Sequence, residues 1–282
     1  MRKLSFMVAV MALLFAGCGQ SSRKQSVADA GKSEEETIVR DFDGWEAVWI
    51  QDLATKQSLD IFPDVEDSLV DSLGLRDGVP SSISAFLLRK GNVRMLFDAG
   101  LGDGESRMLP LLDSLGLKAN DINYLFLTHL HNDHIGGMLQ GDTVVFPNAD
   151  VFVARQEYDG WMCMDAGKKG KVEKIMGAYS GQLHLFEFGD SLPCGVEAID
   201  ASGHTPGHTV YKVGKLLIVG DLMHGVALQL QHPWICASYD MDKQASIAAR
   251  ERILRLAEDS VFVMAGMHFP APGFLSLSGD GD

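Results

Sequence analysis

The chain has 282 residues, of which 46% are hydrophobic and 22% charged, so it can bury the core of one large domain or two small ones. Its formal net charge of −14 would repel a phosphate backbone, and no basic patch offsets that charge, so we expect no nucleic-acid partner. The composition is otherwise that of an ordinary globular protein.

The N-terminal residues have the pattern of an export signal. A basic pair precedes an apolar run at 4–15 that is too short for a permanent membrane span, and the small residues of AGC follow at 16–18. This pattern resembles a bacterial lipoprotein signal, which implies removal of residues 1–17 and a lipid anchor on Cys18. The alternative is an ordinary secretory signal in which Cys18 has no role. Either signal exports the protein, and the lipoprotein signal would anchor it to the bacterial envelope, in the periplasm or at the cell surface.

Residues 18–42 are predicted to be a flexible tether. They are rich in Ser, Lys, Gln and Glu and have almost no large apolar side chains, so they cannot bury enough surface to fold. Residues 43–282 are the predicted globular domain. Its cysteines, which are Cys163, Cys194 and Cys236, lack a CxxC spacing. An oxidising compartment would allow one disulfide among them, but no disulfide framework is indicated.

The globular region alternates short strands with helices. Apolar, β-branched or alternating runs predict strands at 82–88, 93–97, 124–128, 151–154, 195–199, 209–213, 216–219 and 261–265. Amphipathic spacing predicts helices at 65–73, 105–115 and 168–179, and a longer one from an Asp242 cap to about 258. Interleaving of this kind is typical of an α/β domain built from packed layers.

The segment HLHNDH at 129–134 has three histidines and one aspartate in six positions. It follows the third predicted strand, and His129 and His131 would project to the same side if the extended geometry persists. Asp133 and His134 follow where the chain turns. Imidazole and carboxylate groups bind zinc and related transition metals, and a site with few protein ligands leaves a position open for water. This segment therefore predicts part of a metal site, and chance clustering is the weaker alternative.

Further candidate ligands follow later predicted strands. His204 and His208 lie in GHTPGHT at 203–209, and Asp221 and His268 each follow a buried apolar run. Binding sites of layered α/β folds collect at one edge of the sheets, so we expect these side chains to lie near HLHNDH. His208 is expected to support the site or the core rather than to bind metal.

The order of these motifs resembles the metallo-β-lactamase fold superfamily of metallohydrolases. DAGLG at 98–102 is similar to the turn that this superfamily places beneath its metal site. The resemblance covers almost the whole predicted domain and implies a four-layered αβ/βα sandwich with two divalent metal ions between the edges of two facing sheets. Zinc is the expected metal, and iron, manganese and cobalt accept the same ligand types.

The same resemblance implies one metal held by three histidines, a second held by an aspartate and two histidines, and one bridging aspartate. His129, His131 and His204 would hold the first metal, and Asp133, His134 and His268 would hold the second. Asp221 would bridge the two. Two such ions predict a metal-bridging hydroxide that attacks the carbonyl of an ester or lactone, while Asp133 carries a proton to the leaving oxygen.

Other motifs resemble one branch of the superfamily, which contains acyl-homoserine-lactone lactonases and methyl parathion hydrolase. They are FPNA at 146–149, EYDGW at 157–161, GDLMH at 220–224 and HFPAPG at 268–273. Asp221 stands where antibiotic-degrading β-lactamases generally carry Cys, which disfavours β-lactamase activity. His224 stands where several lactonases have a Tyr that supports the oxyanion, so His224 is a candidate catalytic residue, with a packing role as the alternative.

The predicted function is metal-dependent hydrolysis of a small-molecule ester or lactone, with acyl-homoserine lactones among the candidates. A phosphotriesterase or thioesterase of the same fold is the alternative among enzymes, because the metal motif is common to them. A surface lipoprotein that binds a metal or ligand without catalysis is the alternative outside enzymes. The complete ligand set with open coordination positions favours hydrolysis. The sequence does not predict the oligomeric state.

Overall fold

The computed structural model describes residues 37–102 and 104–277. The predicted signal peptide, Cys18 and most of the predicted tether lie outside these residues. Within them, no helix is both long and apolar enough to cross a membrane.

The described residues form short strands and helices in alternation. The strands are β1 Thr37–Phe42, β2 Trp45–Gln57, β3 Val79–Lys90, β4 Val93–Phe97, β5 Tyr124–Phe126, β6 Leu139–Gln140, β7 Thr143–Val144, β8 Asp150–Ala154, β9 Leu183–Phe186, β10 Glu197–Asp200, β11 Thr209–Val213, β12 Leu216–Gly220, β13 Val263–Gly266 and β14 Phe274–Ser276. The helices are α1 Asp67–Leu73, α2 Met108–Ser114, α3 Asn132–Ile135, α4 Arg155–Met162, α5 Ala166–Ala178, α6 Val226–Gln229 and α7 Lys243–Asp259.

The strands form two large sheets and a small ribbon. The first sheet has the order β1-β2-β3-β4-β5-β8-β9 and the second β10-β11-β12-β13-β14, while β6 pairs with β7. In the first sheet β1 to β4 are antiparallel, and β4, β5, β8 and β9 are parallel. In the second sheet only β12 and β13 are parallel. Each parallel strand therefore ends at the same edge of its sheet, and the loops that follow can share one site.

The two sheets pack face to face over an aromatic core. Alternation along β2 puts Trp49 in that core, while Val48 and Ile50 point to the opposite face of the sheet. Tyr211 of β11 reaches across from the second sheet and lies 5.4 Å, between ring centroids, from Phe126 of β5. Full burial of a side chain as large as Trp49 stabilises the fold by about 3 kcal/mol.

Helices cover the outer face of each sheet. The outer core of the first sheet takes apolar residues from α2 and α5, including Met108, Leu111, Val172 and Ile175. The outer core of the second sheet takes Ala249, Ile253 and Ala257 from α7, whose first turn is capped by the Asp242 carboxylate. The layers run helix, sheet, sheet, helix, which confirms the predicted four-layered αβ/βα sandwich.

Some element boundaries differ from those predicted. Residues 37–42, predicted as the end of the tether, form β1, because pairing with β2 satisfies their backbone and half-buries Ile38. β2 was not predicted: its first half has a short apolar run at 47–50, but its second half alternates part-buried and exposed residues without such a run. The strand predicted at 195–199 starts later, after a 3₁₀ turn at Pro193–Gly195. Cys163, Cys194 and Cys236 are free thiols in the described part of the chain.

Candidate metal centre

The seven predicted metal ligands lie together at one edge of the two sheets. Those from the first sheet follow β5 or lie in α3: His129, His131, Asp133 and His134. Those from the second sheet follow β10, β12 and β13: His204, Asp221 and His268. They form two groups of four that share Asp221, and within each group one donor atom from every residue lies within 4.8 Å of the others.

The first group places three imidazoles around one carboxylate oxygen. His131 Nδ1 lies 2.9 Å from His129 Nε2 and 3.0 Å from His204 Nε2. Asp221 Oδ2 lies 3.6 Å from His129 Nε2 and 3.4 Å from His204 Nε2. Three ring nitrogens and an oxygen thus converge on one point, which is the arrangement of a tetrahedral site.

The second group has two imidazoles and two carboxylates. His134 Nε2 lies 3.0 Å from Asp221 Oδ1 and 3.6 Å from Asp133 Oδ2. His268 Nε2 lies 3.1 Å from Asp221 Oδ2 and 3.4 Å from Asp133 Oδ2. Because Asp221 has an oxygen in each group, its carboxylate is placed to bridge them.

The far nitrogens of three of these imidazoles are held by groups outside the cluster. The Nδ1 atoms of His134 and His204 lie 2.7 Å and 2.9 Å from the carboxylates of Asp98 and Asp240. His268 Nδ1 donates to the backbone oxygen of Ser82 at 2.7 Å. These bonds orient the rings, and they leave Nε2 free to face the cluster.

Asp98 lies beneath α3, in the turn of DAGLG. Its backbone has a φ of 59°, and its carboxylate also accepts from the backbone and hydroxyl of Thr128 at 2.8 Å and 2.7 Å. The turn packs closely against the residues after α3, since a Cβ at Gly136 or Gly137 would overlap backbone oxygens of this turn. DAGLG thus lies beneath the donor cluster, as predicted.

A second buried carboxylate, Glu157 of α4, was not identified as a functional residue. Glu157 Oε1 accepts from the backbone of Leu130 at 2.9 Å and from the indole of Trp161 at 2.7 Å, and Oε2 accepts from the backbone of Gly207 at 2.7 Å. It therefore joins the loop of His129 and His131 to the loop of His204. Glu157 is the first residue of EYDGW, which predicts only a resemblance to the lactonase branch. A carboxylate near the start of a helix does not by itself indicate that it binds distant loops.

Asp240 was also not identified from sequence. It lies ahead of α7, accepts from His204 at 2.9 Å and pairs with Arg250 at 3.3 Å. Arg250 is buried and also donates to the backbone oxygens of Leu222, Pro233 and Ile235. This buried pair fixes the loop that carries His224, and only the fold brings its members together.

Burial lowers the pKa of the clustered imidazoles, and the carboxylates oppose that effect unevenly. Burial and the neighbouring His204 lower the pKa of His131 to about 3. At His204 burial is outweighed by Asp221 and Asp240, which raise its pKa to about 9. At His134 the carboxylates likewise outweigh burial and hold the pKa well above its ordinary value of 6.5.

The cluster fits a pair of divalent cations. The three close ring nitrogens of the first group point lone pairs at one another, which is favourable only when a proton or cation lies between them. In the second group, the buried atoms His134 Nε2 and Asp221 Oδ1 lie 3.0 Å apart without the geometry of a hydrogen bond, and neither has another hydrogen bond among the described residues. Buried polar atoms without partners are costly, and a metal ion would satisfy both atoms.

The cluster lies at the bottom of an open cavity of about 430 Å³. The predicted catalytic residue His224 lines it, with Nε2 at 3.2 Å from Asp221 Oδ2 and a buried Nδ1 that has no hydrogen-bond partner in the described ranges. Thr55, Gln57, Ile83, Leu101 and Tyr239 also line the cavity, and none of them was predicted as a site residue. His208, as expected, supports the site: its Nε2 accepts from the backbone of Asp221 at 3.0 Å.

Comparison with known proteins agrees with this geometry. Residues 78–142, which contain DAGLG and HLHNDH, match the sequence model of the Metallo-beta-lactamase superfamily. The solved structure of AidC, a dizinc quorum-quenching lactonase with the product N-hexanoyl-L-homoserine, superposes with a TM-score of 0.78 at 24% identity, covering 84% of this chain and 92% of that one. This likeness shows the fold.

Two curated relatives match over shorter segments. An N-acyl homoserine lactonase of Bacillus cereus is 29% identical over 104 residues, which are 37% of this chain and 38% of the relative. The exodeoxyribonuclease WalJ of Streptococcus pneumoniae serotype 2 (strain D39 / NCTC 7466) is 30% identical over 124 residues, which are 44% of this chain and 41% of the relative. The chain thus matches about two fifths of the length of these relatives.

Proposed function

Because the chain has the metallo-β-lactamase fold and carries that superfamily's sequence pattern across its first donor segment, we propose that it is a metal-dependent hydrolase that opens lactones or cleaves esters. One observation carries the proposal: two groups of donors share Asp221 at the bottom of a cavity that is open to solvent. A storage or structural site would tend to close its ligand shell and would need no such cavity.

Two divalent ions, with zinc as the expected metal, would lower the pKa of a water held between them to near neutrality and polarise a substrate carbonyl. His129, His131 and His204 would hold one ion, Asp133, His134 and His268 the other, and Asp221 would contact both.

Asp133 is the best placed group to move a proton. Its side chain is 26% exposed, whereas that of Asp221 is 2% exposed, so Asp133 reaches the cavity. Burial raises the pKa of Asp133, but His134 and His268 outweigh burial and hold the pKa well below its usual range. Asp133 is therefore ionised at neutral pH. Because so acidic a carboxylate is a weak base, it would take a proton only from a water that the metals have acidified, and it would then deliver that proton to the leaving alcohol oxygen.

His224 provides a neutral hydrogen-bonding group beside the cluster. Burial lowers its pKa to about 4, against the attraction of Asp221. A neutral imidazole at pH 7 can orient the substrate oxygen as charge develops there, without adding a further cation to the site.

A lactone is favoured over a nucleic acid as the substrate. The N-acyl homoserine lactonase and the exodeoxyribonuclease match this chain about equally well, so similarity alone does not separate the two activities. The net charge of −14 opposes binding of a phosphate backbone, whereas it does not oppose binding of a neutral lactone.

The proposal is tested by following proton release from the purified, zinc-loaded protein with lactones of graded acyl length, aryl esters, thioesters, a phosphotriester and single-stranded DNA. We expect rapid opening of lactones, lost on chelation and restored by zinc. Phosphotriester or thioester turnover in excess of lactone turnover would reassign the substrate within the same site. Two bound metals with no turnover of any substrate would contradict hydrolysis and support the binding role.

We further propose that the protein is exported and anchored through a lipid on Cys18, which lies outside the described residues. Labelling of cells with radioactive palmitate should mark the wild-type protein and not the Cys18→Ser variant. Equal labelling of both proteins, or none in either, would contradict the lipid anchor.

A further inference from the structure

The end of β2 forms one wall of the cavity above the metal donors. Thr55 pairs with Ser81 of β3 and Gln57 pairs with Val79, so Thr55 and Gln57 lie on the same face of the strand, two residues apart. The Ser81 hydroxyl lies 3.0 Å from the backbone oxygen of His268 and 3.3 Å from that of His224. The register therefore places Thr55 beside the donors and Gln57 about 7 Å further along the strand, away from them.

Among the described residues that line the cavity, those other than the donors and His224 carry no formal charge. Thr55, Gln57, Asn132 and Tyr239 are polar and neutral, and Ile83 and Leu101 are apolar. A substrate with a carboxylate or phosphate arm would find no charged side chain among these six lining residues. The part of the substrate that extends from the reacting carbonyl is therefore expected to be neutral, with both polar and apolar atoms.

Among these polar groups, the Gln57 carboxamide is free to bind a ligand. The Asn132 side-chain oxygen already contacts the Lys171 ammonium. Gln57 is partly buried, and its side chain makes no hydrogen bond with any residue in the described part of the chain. A carboxamide has both a donor and an acceptor, so it can bond either edge of a secondary amide.

We propose that Gln57 is a specificity-determining residue that hydrogen-bonds the amide of N-acylated lactone substrates, next to the reacting ring. This inference rests on the proposed lactonase function and assigns, within the same cavity, the residue that would select for the amide. Ile83 and Leu101 would contact the apolar acyl chain beyond the amide. An N-acyl amino lactone has this order of groups: a carbonyl for the metals, a neutral amide and an alkyl chain.

The test compares two lactones of equal chain length, N-hexanoyl-homoserine lactone and an alkyl γ-lactone that lacks the amide, with the wild-type protein and Gln57→Leu. The Leu side chain keeps most of the volume and removes both hydrogen-bonding groups. We expect kcat/KM for the amide lactone to fall about tenfold, mainly through a higher KM, because the contact exists before the chemical step. For the amide-free lactone the change should stay within about twofold.

Two further variants control for folding and position. Gln57→Asn keeps the carboxamide but shortens its reach by one carbon, so it should also lose most of the preference for the amide lactone. Gln231→Leu makes the same chemical change at an exposed position outside the cavity and should leave both substrates unchanged. Thermal unfolding of each variant checks that it folds.

Binding of the ring-opened products by calorimetry separates this inference from the proposed function, because it needs no turnover. Weaker binding of N-hexanoyl-homoserine by Gln57→Leu, with unchanged binding of the amide-free hydroxy acid, supports the amide contact even if no lactone is hydrolysed. Equal losses for the two ligands, or no loss for either, overturn it even if lactones are hydrolysed.

Discussion

The donors from the first sheet and the donors from the second sheet are held in different ways. The first set lies within 129–134, in the loop after β5 and in α3, so local backbone geometry fixes most of its spacing. In the second set, His204, Asp221 and His268 each follow a different strand. Their spacing depends on the register of the second sheet and on the loops that leave it. We therefore expect the second set to depend more strongly on tertiary contacts than the first.

The two sets also have separate supports. Asp98, in a turn of the first sheet, holds His134, whereas Asp240 and Arg250 hold His204 from the α7 side. Asp221 and Glu157 connect the two sets. The Asp221 carboxylate belongs to both groups of donors, and the Glu157 carboxylate accepts hydrogen bonds from the backbone of a loop from each sheet. Changes at these connecting residues should affect both sets, and changes at the separate supports should affect one.

The largest effect is expected for Asp221→Asn, because both groups of donors lose a charged ligand at once. Activity should fall by about 10³-fold or more, and both metals should bind more weakly. Steady-state kinetics with metal analysis after dialysis measures both, and Asp77→Asn, at an exposed position that does not line the cavity, is the matched control. Full activity with two metals retained would show that Asp221 does not bridge the groups.

Glu157→Ala is expected to lower stability by about 3 kcal/mol, because three buried donors, at Leu130, Gly207 and Trp161, lose their acceptor. Metal affinity should fall at both groups, since the loops of both sheets lose their connection. Urea unfolding with cobalt titration measures the two quantities. A stability loss below about 0.5 kcal/mol would contradict the connecting role of Glu157.

Asp98→Asn and Asp240→Asn should each weaken one metal, by roughly 10- to 100-fold in affinity. The first variant alters the orientation and basicity of His134 in the second group, and the second variant does the same for His204 in the first group. Competitive cobalt titrations with an absorbance readout resolve the two sites. If both variants weaken the same site, the separate supports do not act independently.

The sequence predicted the parts of this site that are local. HLHNDH is contiguous, so its grouping follows from chain connectivity, and the ligands after later strands follow from the rule that parallel strands end at one edge. The structure confirms the predicted layers and brings the seven predicted ligands together. Their role as metal ligands stays a prediction that the Asp221 and Asp98 variants test.

The supporting carboxylates were not predicted, for a physical reason. Besides Trp161, four residues on, Glu157 accepts from groups 27 and 50 residues away in the chain. Asp240 contacts His204 and Arg250, which are 36 and 10 residues away. No local pattern therefore shows that these two acids join distant loops. Gln57 was missed for a similar reason, since the second half of β2, which carries it, has no long apolar run and its register with β3 decides which residues face the cavity. Which residues contact the site is therefore decided by long-range pairing in the fold rather than by residue type.

The smallest effect is expected in the outer helical layer of the first sheet, at Tyr179. Its hydroxyl donates to the backbone oxygen of Met138 at 2.8 Å and accepts from the backbone of Phe146 at 3.1 Å, on either side of the ribbon of β6 and β7. Tyr179→Phe should cost about 1 to 2 kcal/mol of stability at pH 7 and leave metal affinity unchanged, because no donor loop is involved.

The pH dependence of that cost gives an independent check. Burial raises the pKa of Tyr179 from its ordinary value of 10.0 to about 12. A raised pKa means that the folded state keeps a proton that the unfolded state loses, so the contribution of Tyr179 is complete below pH 10 and declines as pH rises towards 12. Urea unfolding of both proteins across this range should show the stability difference narrowing above pH 10. A constant difference would mean that the hydroxyl titrates alike in both states, and that the ribbon does not bury it.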